Sequence, residues 1–245
     1  MQFRRNLTAS EFRLSAGNHP APDDGLCAME VVALLDGQPH SDHPRCTCEI
    51  IGAFVRGIND NMPDDLRQTL LPILPRLVGT VSEEHEQARH EFFAWQAVRV
   101  FAPAALRAKG YGRFAKALES VDSLLLATLS AEAIGQALAN CGPVGEGRNG
   151  CKPTAVELAV HHARRAAGAA LWFSGGRHDF AKGSSSITPW DQCSSSAASA
   201  AFQAYNVGCT EVWGLAIRAI DEALEIGHSI EQRGLRTPYD MRRGR

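Results

Sequence analysis

The sequence has few aromatic residues and no long apolar run, and both absences limit the fold. Aromatic residues make up 7% of the 245 residues. No window approaches the roughly 18 uninterrupted apolar residues that a membrane-spanning helix requires. Stretches dominated by Val, Ile, Thr and Tyr are scarce, so a large β-sheet is not expected. The N-terminus also lacks the apolar segment of a secretory signal. These absences predict a cytoplasmic protein with no membrane-spanning segment.

Strong net charge is missing as well. The formal net charge is −2 at neutral pH, which provides no global attraction to nucleic acid or to anionic membranes. The exception is the end of the chain, where five arginines cluster among Gly and Pro: Arg233, Arg236, Arg242, Arg243 and Arg245. We expect residues 231–245 to form a basic, flexible tail. The expected partner is therefore another protein or a second copy of the chain, and not nucleic acid or a membrane.

Several motifs that would identify an enzyme class are missing. The sequence contains no Gly-x-Ser-x-Gly elbow, no dinucleotide-binding fingerprint after a strand, no Cys-x2-Cys pair and no His-Glu-x2-His. The number of cysteines is odd, at seven, and three of them lie within residues 27–48. Without an export signal, reduced thiols are expected, and their uses would be metal binding or burial in the core.

The residues that are present favour an all-α fold. Alanine-rich stretches at 102–108 and 197–204 combine high helix propensity with small volume, which suits close helix packing. We predict a single helical bundle at residues 25–230, preceded by an arm at 1–24. A long Gly/Ser-rich stretch at 174–196 has the composition of an insertion. The principal predicted helices cover residues 26–35, 44–58, 80–109, 113–121, 124–139, 154–173, 197–205 and 210–230.

Two details of this prediction concern helix ends. The first two helices would form an N-terminal hairpin, with Gly37 ending the first and Pro44 beginning the second. Residues 80–83, Thr-Val-Ser-Glu, match a capping box ahead of the long helix. Pro103 would kink that helix.

The segment from Cys27 to Cys48 is dense in residues that can carry chemistry. Glu30 is the only charged residue of the first helix, so its carboxylate should be paired, protonated, metal-bound or at the boundary of the core. His40 and His43 follow in the linker, and Cys46 and Cys48 come next. If the hairpin closes, these side chains could approach Glu30.

Three interpretations of this segment remain open. In the first, the residues are structural, and Glu30 pairs with an arginine such as Arg56 or Arg76. In the second, a Zn, Fe or Mn ion is bound, because imidazole, thiolate and carboxylate suit these metals. The third is a metal-free polar or catalytic cluster. The candidate metal ligands are Cys27, Glu30, His40, His43, Cys46 and Cys48, and the candidate catalytic residues are Glu30, His43 and Asp42, with Asp42 orienting a histidine.

Two hypotheses about function follow from these interpretations. The first is a non-enzymatic protein-interaction module, in which the hairpin is merely well packed. The alternative is a metal-binding enzyme, a hydrolase or an oxidase, that uses the residues between Cys27 and Cys48.

The same region resembles an uncharacterised family of helical bacterial proteins that is common in actinobacteria. The resemblance rests on Cys27-Ala28-Met29-Glu30, on Gly37-x-Pro39-x-Ser41-Asp42-His43-Pro44, and on Ile51-x-x-Phe54-x-Arg56-x-x-Asn59-Asp60. It covers roughly residues 25–80, with a weaker similarity to about residue 120. The resemblance implies a helical fold and carries no activity.

Overall fold

A computed structural model describes residues 8–140, 153–174 and 189–227, and within these ranges it contains helices and turns but no strand. The predicted all-α fold is therefore confirmed. The α-helices are α1 (Ala28–Leu35), α2 (Glu49–Asn61), α3 (Asp64–Arg67), α4 (Glu83–Gln96), α5 (Ala102–Ala108), α6 (Gly112–Ser120), α7 (Leu124–Asn140), α8 (Ala155–Ser174), α9 (Pro189–Asn206) and α10 (Val212–Glu225). A 3-10 helix (Gln68–Leu77) follows α3, and a π-helical segment (Ala97–Phe101) joins α4 to α5. Within these ranges, none of the helices combines the length and the hydropathy of a membrane-spanning segment.

Helix α1 is short because both of its ends are capped. Cys27 is the N-cap, and Gly37 follows the last turn with a φ of 70°. The Gly37 N–H donates to the Leu34 carbonyl, and the Gln38 N–H donates to the Ala33 carbonyl. A left-handed residue with these two bonds ends many helices, and glycine adopts that conformation without strain.

Helix α2 is buried along most of its length. It begins at Glu49 and not at Pro44, because residues 44–47 form a turn closed by a Thr47 N–H bond to the Pro44 carbonyl. Its Phe54 ring stacks on Phe93 of α4, with 4.4 Å between ring centroids. On another face it meets α9 so closely that a Cβ added to Gly57 would lie 2.6 Å from the Cβ of Ala198.

The predicted helix at 80–109 is interrupted. Its N-cap is Ser82, whose hydroxyl bonds the His85 ring, so the capping box predicted at residues 80–83 is wrong. The Thr80 hydroxyl instead donates to the Leu77 carbonyl and accepts the Cys48 N–H at the start of α2. The π-helical segment ends two residues before Pro103. Proline supplies no N–H and crowds the carbonyl four residues earlier, and a widened turn relieves that conflict.

The C-terminal helices pack through small residues. The facing sides of α8 and α9 are rich in buried alanine, as the composition predicted. Helix α9 begins at Pro189, so residues 189–196 of the predicted insertion are helical. Ser194 and Ser196 are buried there, since their small side chains permit close contact. The rest of the predicted insertion, residues 175–188, and the basic tail lie outside the described residues.

The described part of the N-terminal arm, residues 8–24, is packed onto the bundle. Leu14 is 2% exposed. Its backbone N–H and carbonyl both bond the side-chain amide of Gln68, at 2.9 Å each. This docking brings the arm to the N-terminal end of α1.

Candidate functional site

The Glu30 carboxylate is the centre of a buried hydrogen-bond network. Glu30 is 1% exposed. Its Oε2 accepts the Cys27 N–H at 2.7 Å and lies 2.8 Å from Nδ1 of His19. Its Oε1 accepts the His19 N–H at 2.7 Å and lies 3.4 Å from Nε2 of His40. Three hydrogen-bond donors from the arm and the N-cap thus converge on one carboxylate, and the His40 ring from the linker lies beside it.

The position of Glu30 follows from local helix geometry. Cys27 and Glu30 form a capping box, in which the Glu30 carboxylate bonds the N-cap N–H and Cys27 Sγ accepts the Glu30 N–H. A carboxylate at a helix N-terminus is also stabilised by the helix dipole. Burial by itself would raise the pKa of Glu30, but the hydrogen bonds from Cys27 and His19 outweigh it and hold that pKa below its ordinary value. Glu30 is therefore an ionised carboxylate at neutral pH.

His19 connects Glu30 to a hydroxyl group. Its Nδ1 faces the carboxylate, so this nitrogen bears a proton. Its Nε2 lies 3.0 Å from Oγ of Ser15. In the neutral imidazole, Nε2 is an acceptor for the Ser15 hydroxyl proton at 3.0 Å, and the Leu26 carbonyl, 3.3 Å from Oγ, is the other acceptor within reach of that proton. The chain Ser15 Oγ, His19 Nε2, His19 Nδ1, Glu30 Oε2 has the connectivity of a serine–histidine–carboxylate triad.

The surroundings of Ser15 hold its hydroxyl in place. Oγ accepts the Leu26 N–H at 3.1 Å, and the Ser15 N–H donates to the Leu26 carbonyl at 2.9 Å. The Ser15 carbonyl accepts from the buried side chain of Asn59 at 3.0 Å. Gly25 packs directly against the contact between Ser15 and His19. A Cβ added to Gly25 would lie 2.7 Å from Ser15 Oγ and 2.8 Å from His19 Nε2. Ser15 and Gly25 are both half-buried.

The predicted residues His43 and Asp42 lie in a separate cluster. The His43 side chain is 54% exposed and bonds Glu49 Oε1 at 3.1 Å through Nδ1, with Asp42 3.9 Å from its Nε2. Arg56 pairs with the same Glu49 carboxylate and donates to the Asp42 carbonyl. The pairing of Glu30 with Arg56 or Arg76, which was part of the structural interpretation, is not formed, since Arg56 pairs with Glu49 and Arg76 pairs with acidic residues of α10.

The predicted cysteine ligands have structural contacts. Cys48 is buried as the N-cap of α2, and the Cys46 carbonyl accepts the N–H groups of Gly79 and Thr80. Burial raises the pKa of the Cys27 thiol to about 12, so this thiol is protonated at neutral pH. Among the residues that the structure describes, no group of three or more His, Cys, Asp or Glu side chains is placed to hold a metal ion. The structure joins Cys27, Glu30 and His40 in one network but does not assemble the six predicted ligands.

Sequence reasoning missed Ser15 and His19, because it treated residues 1–24 as an arm. One signal was present: the Cys-x-x-Glu spacing of a capping box, which indicates that Glu30 points back towards the preceding segment. No pattern in the sequence indicates that His19 reaches it.

A cleft in the described part of the chain lies away from the Glu30 network. It has a volume of about 600 Å³ and runs between α5, α6 and the turn after α9. None of the site residues predicted from the sequence lines it.

Comparison with known proteins identifies no relative. The chain matches no family model, and no curated protein or solved structure matches it significantly. The geometry of the Glu30 network therefore carries the functional argument.

Proposed function

We propose that the chain catalyses acyl transfer to water, as a metal-free hydrolase with Ser15 as the nucleophile. The observation that supports this proposal is the unbroken relay from Ser15 through His19 to Glu30, with contacts of 3.0 and 2.8 Å. A nucleophile bonded to a base, which is oriented by a third group, is the general signature of an activated hydroxyl. The substrate class is an ester or a comparably activated acyl compound.

The proposed steps follow from the proton positions. As Ser15 Oγ attacks the acyl carbon, its proton moves to His19 Nε2, and the carbonyl electron pair moves to oxygen. Collapse of this intermediate expels the leaving alcohol, which takes the proton from Nε2, and leaves an acyl-serine. Water then gives a proton to Nε2 and attacks the acyl-serine. Ser15 Oγ departs as the leaving group and recovers that proton.

Glu30 would orient the imidazole and stabilise its charged form. Its carboxylate keeps the proton of His19 on Nδ1, which leaves Nε2 free to act as the base. The lowered pKa of Glu30 favours the ionised state that this role requires.

A fluorophosphonate probe tests the proposal, because such probes phosphonylate activated serine hydroxyls. We expect one equivalent of label on the peptide that contains Ser15, measured by mass spectrometry. The Ser15→Ala variant should take up none. Ser10→Ala is the matched control, since Ser10 is an exposed serine of the same arm, and it should label like the wild type. A His19→Gln variant should react about 100-fold more slowly or worse. Unlabelled wild-type protein, or equal labelling of Ser15→Ala, would overturn the proposal.

A second candidate function is the protein-interaction module, and one observation favours it. Leu125, Leu126 and Leu129 are 54%, 48% and 57% exposed on the outer face of α7. The same face continues with the small exposed residues Ala133 and Ala139 and also carries the exposed polar residues Glu132 and Gln136. Two α7 helices packed antiparallel would place the leucines of one copy against the alanines of the other. We propose that a second copy of the chain covers this face.

Light scattering after size exclusion tests this self-association. We expect a dimer for the wild type and a monomer for a Leu125→Ser, Leu129→Ser double variant. Leu66→Ser is the control, because Leu66 is 40% exposed on α3, away from this face. A wild type that stays monomeric at high concentration would exclude the interaction.

For either function we propose the cytoplasm as the location, which the five free cysteines of the described residues support.

A further inference from the structure

His40 lies outside the relay but contacts two of its members. Its Nε2 is 2.8 Å from the carbonyl oxygen of His19 and 3.4 Å from Glu30 Oε1. A carbonyl oxygen only accepts, so Nε2 of His40 must bear a proton. The other ring nitrogen, Nδ1, is buried and has no hydrogen-bond partner in the described part of the structure. The polar contacts of the ring are therefore all directed at the relay.

The backbone of His19 is held on both sides. Its N–H donates to Glu30 Oε1 at 2.7 Å, and its carbonyl accepts from His40. The Glu30 bond comes from the N-terminus of α1, and the His40 bond comes from the linker after α1. These two bonds hold the backbone of His19, and the contacts of its ring with Ser15 and Glu30 orient the imidazole.

We infer that His40 is a positioning residue for the reaction of Ser15, acting through His19 and Glu30 without touching the substrate. This inference rests on the proposed function. Its physical basis is that displacing a base by about 1 Å costs on the order of 100-fold in rate. Loss of the Nε2 donor would release one side of His19 and leave its carbonyl without that bond.

Two amide variants of different length provide the test. In His40→Gln the amide nitrogen reaches the position of Nε2, whereas in His40→Asn it falls short by one methylene. We expect His40→Gln to react with the fluorophosphonate probe within about threefold of the wild-type rate, and His40→Asn about 10- to 100-fold more slowly. Equal rates in the two variants would overturn the positioning role.

A second readout separates this inference from the proposed function. The ¹⁵N shifts of the His19 ring report its tautomer and hydrogen bonds whether or not Ser15 reacts. We expect wild-type shifts in His40→Gln and changed shifts in His40→Asn. If wild-type protein takes up no label but the shifts follow this pattern, the acyl-transfer proposal fails and His40 still positions His19. If the shifts are identical in all three proteins, the positioning role is refuted.

Discussion

Replacing Glu30 with glutamine tests the network most directly, because it changes one oxygen to an NH2 group at nearly constant volume. The carboxylate accepts from three close donors, at 2.7, 2.7 and 2.8 Å. An amide has a single acceptor oxygen. In the less damaging orientation of the glutamine amide, that oxygen stays at the Oε2 position and accepts hydrogen bonds from the Cys27 N–H and from His19 Nδ1. The amide nitrogen then faces the His19 N–H, and two donors oppose each other.

The expected cost follows from the hydrogen bonds that are lost. A buried donor left without an acceptor costs about 1–3 kcal/mol, and the remaining bonds lose the contribution of the charge, on the order of 1 kcal/mol. We expect Glu30→Gln to lower the free energy of unfolding by about 3 kcal/mol. For a chain of this length, that corresponds to a decrease in Tm of about 6–12 °C. The loss is large against a total stability of about 5–15 kcal/mol.

Urea denaturation followed by circular dichroism measures this difference, and Glu11→Gln is the matched control. Glu11 also closes a capping box, with Thr8, but it is exposed and its bond to the Thr8 N–H is 3.3 Å long. The control should lose no more than about 0.5 kcal/mol, as exposed substitutions usually do. If both variants lose the same amount, the reasoning that assigns the stabilisation to burial is refuted.

The difference in unfolding free energy between the wild type and Glu30→Gln depends on pH. The pKa of Glu30 is lowered in the folded state from its ordinary value of 4.5. A lowered folded-state pKa adds stability above the unfolded-state pKa, and that stability is lost as the pH falls through the folded-state value. The difference between wild type and Glu30→Gln should therefore be constant above about pH 5.5 and should shrink below about pH 4.5. A difference that grows on acidification would contradict the lowered pKa.

Three further predictions concern the framework around the site. Gly57→Ala should destabilise the protein by about 1–3 kcal/mol, because the added Cβ overpacks against α9. At Gly135 an added Cβ has no neighbour within 4 Å, so Gly135→Ala should stabilise the protein by up to about 1 kcal/mol in the same denaturation assay. Thr80→Val should cost about 1–3 kcal/mol because it leaves the Cys48 N–H without its acceptor, and Thr80→Ser, which keeps the hydroxyl, should cost less than 1 kcal/mol. Because His43 is not part of the Glu30 network, elemental analysis should find the same metal content in His43→Ala as in the wild type; a metal lost only in the variant would revive the predicted metal site.

The regular parts of the fold were predictable because they depend on local pattern. Alanine content and capping signals located most helices, and Gly37 ended α1 as predicted. Errors arose where a contact distant in sequence decides the conformation. Thr80 matched a capping box, but its hydroxyl bonds Leu77 and Cys48 instead. The start of α9 was not predicted, because the serines at 194–196 are typical of flexible segments. In the structure Ser194 and Ser196 are buried, and this packing stabilises them in a helix.

The candidate site was predictable only at Glu30. A lone carboxylate in an apolar helix requires partners wherever it lies, so its importance follows from solvation alone. The identity of those partners depends on how the arm folds back. Ser15 and His19 reach Glu30 because Gln68 and Asn59, both far away in sequence, hold the backbone of the arm.

The contact between α2 and α9 also has a consequence for synthesis on the ribosome. Helix α2 is buried on most of its surface, yet the helix that covers the Gly57 side begins only at Pro189. At about 5–20 residues per second, α9 emerges on the order of 10 s after α2. During that interval the nascent chain exposes apolar surface that the finished protein conceals. Newly made chains should therefore depend on chaperones until α9 has been translated.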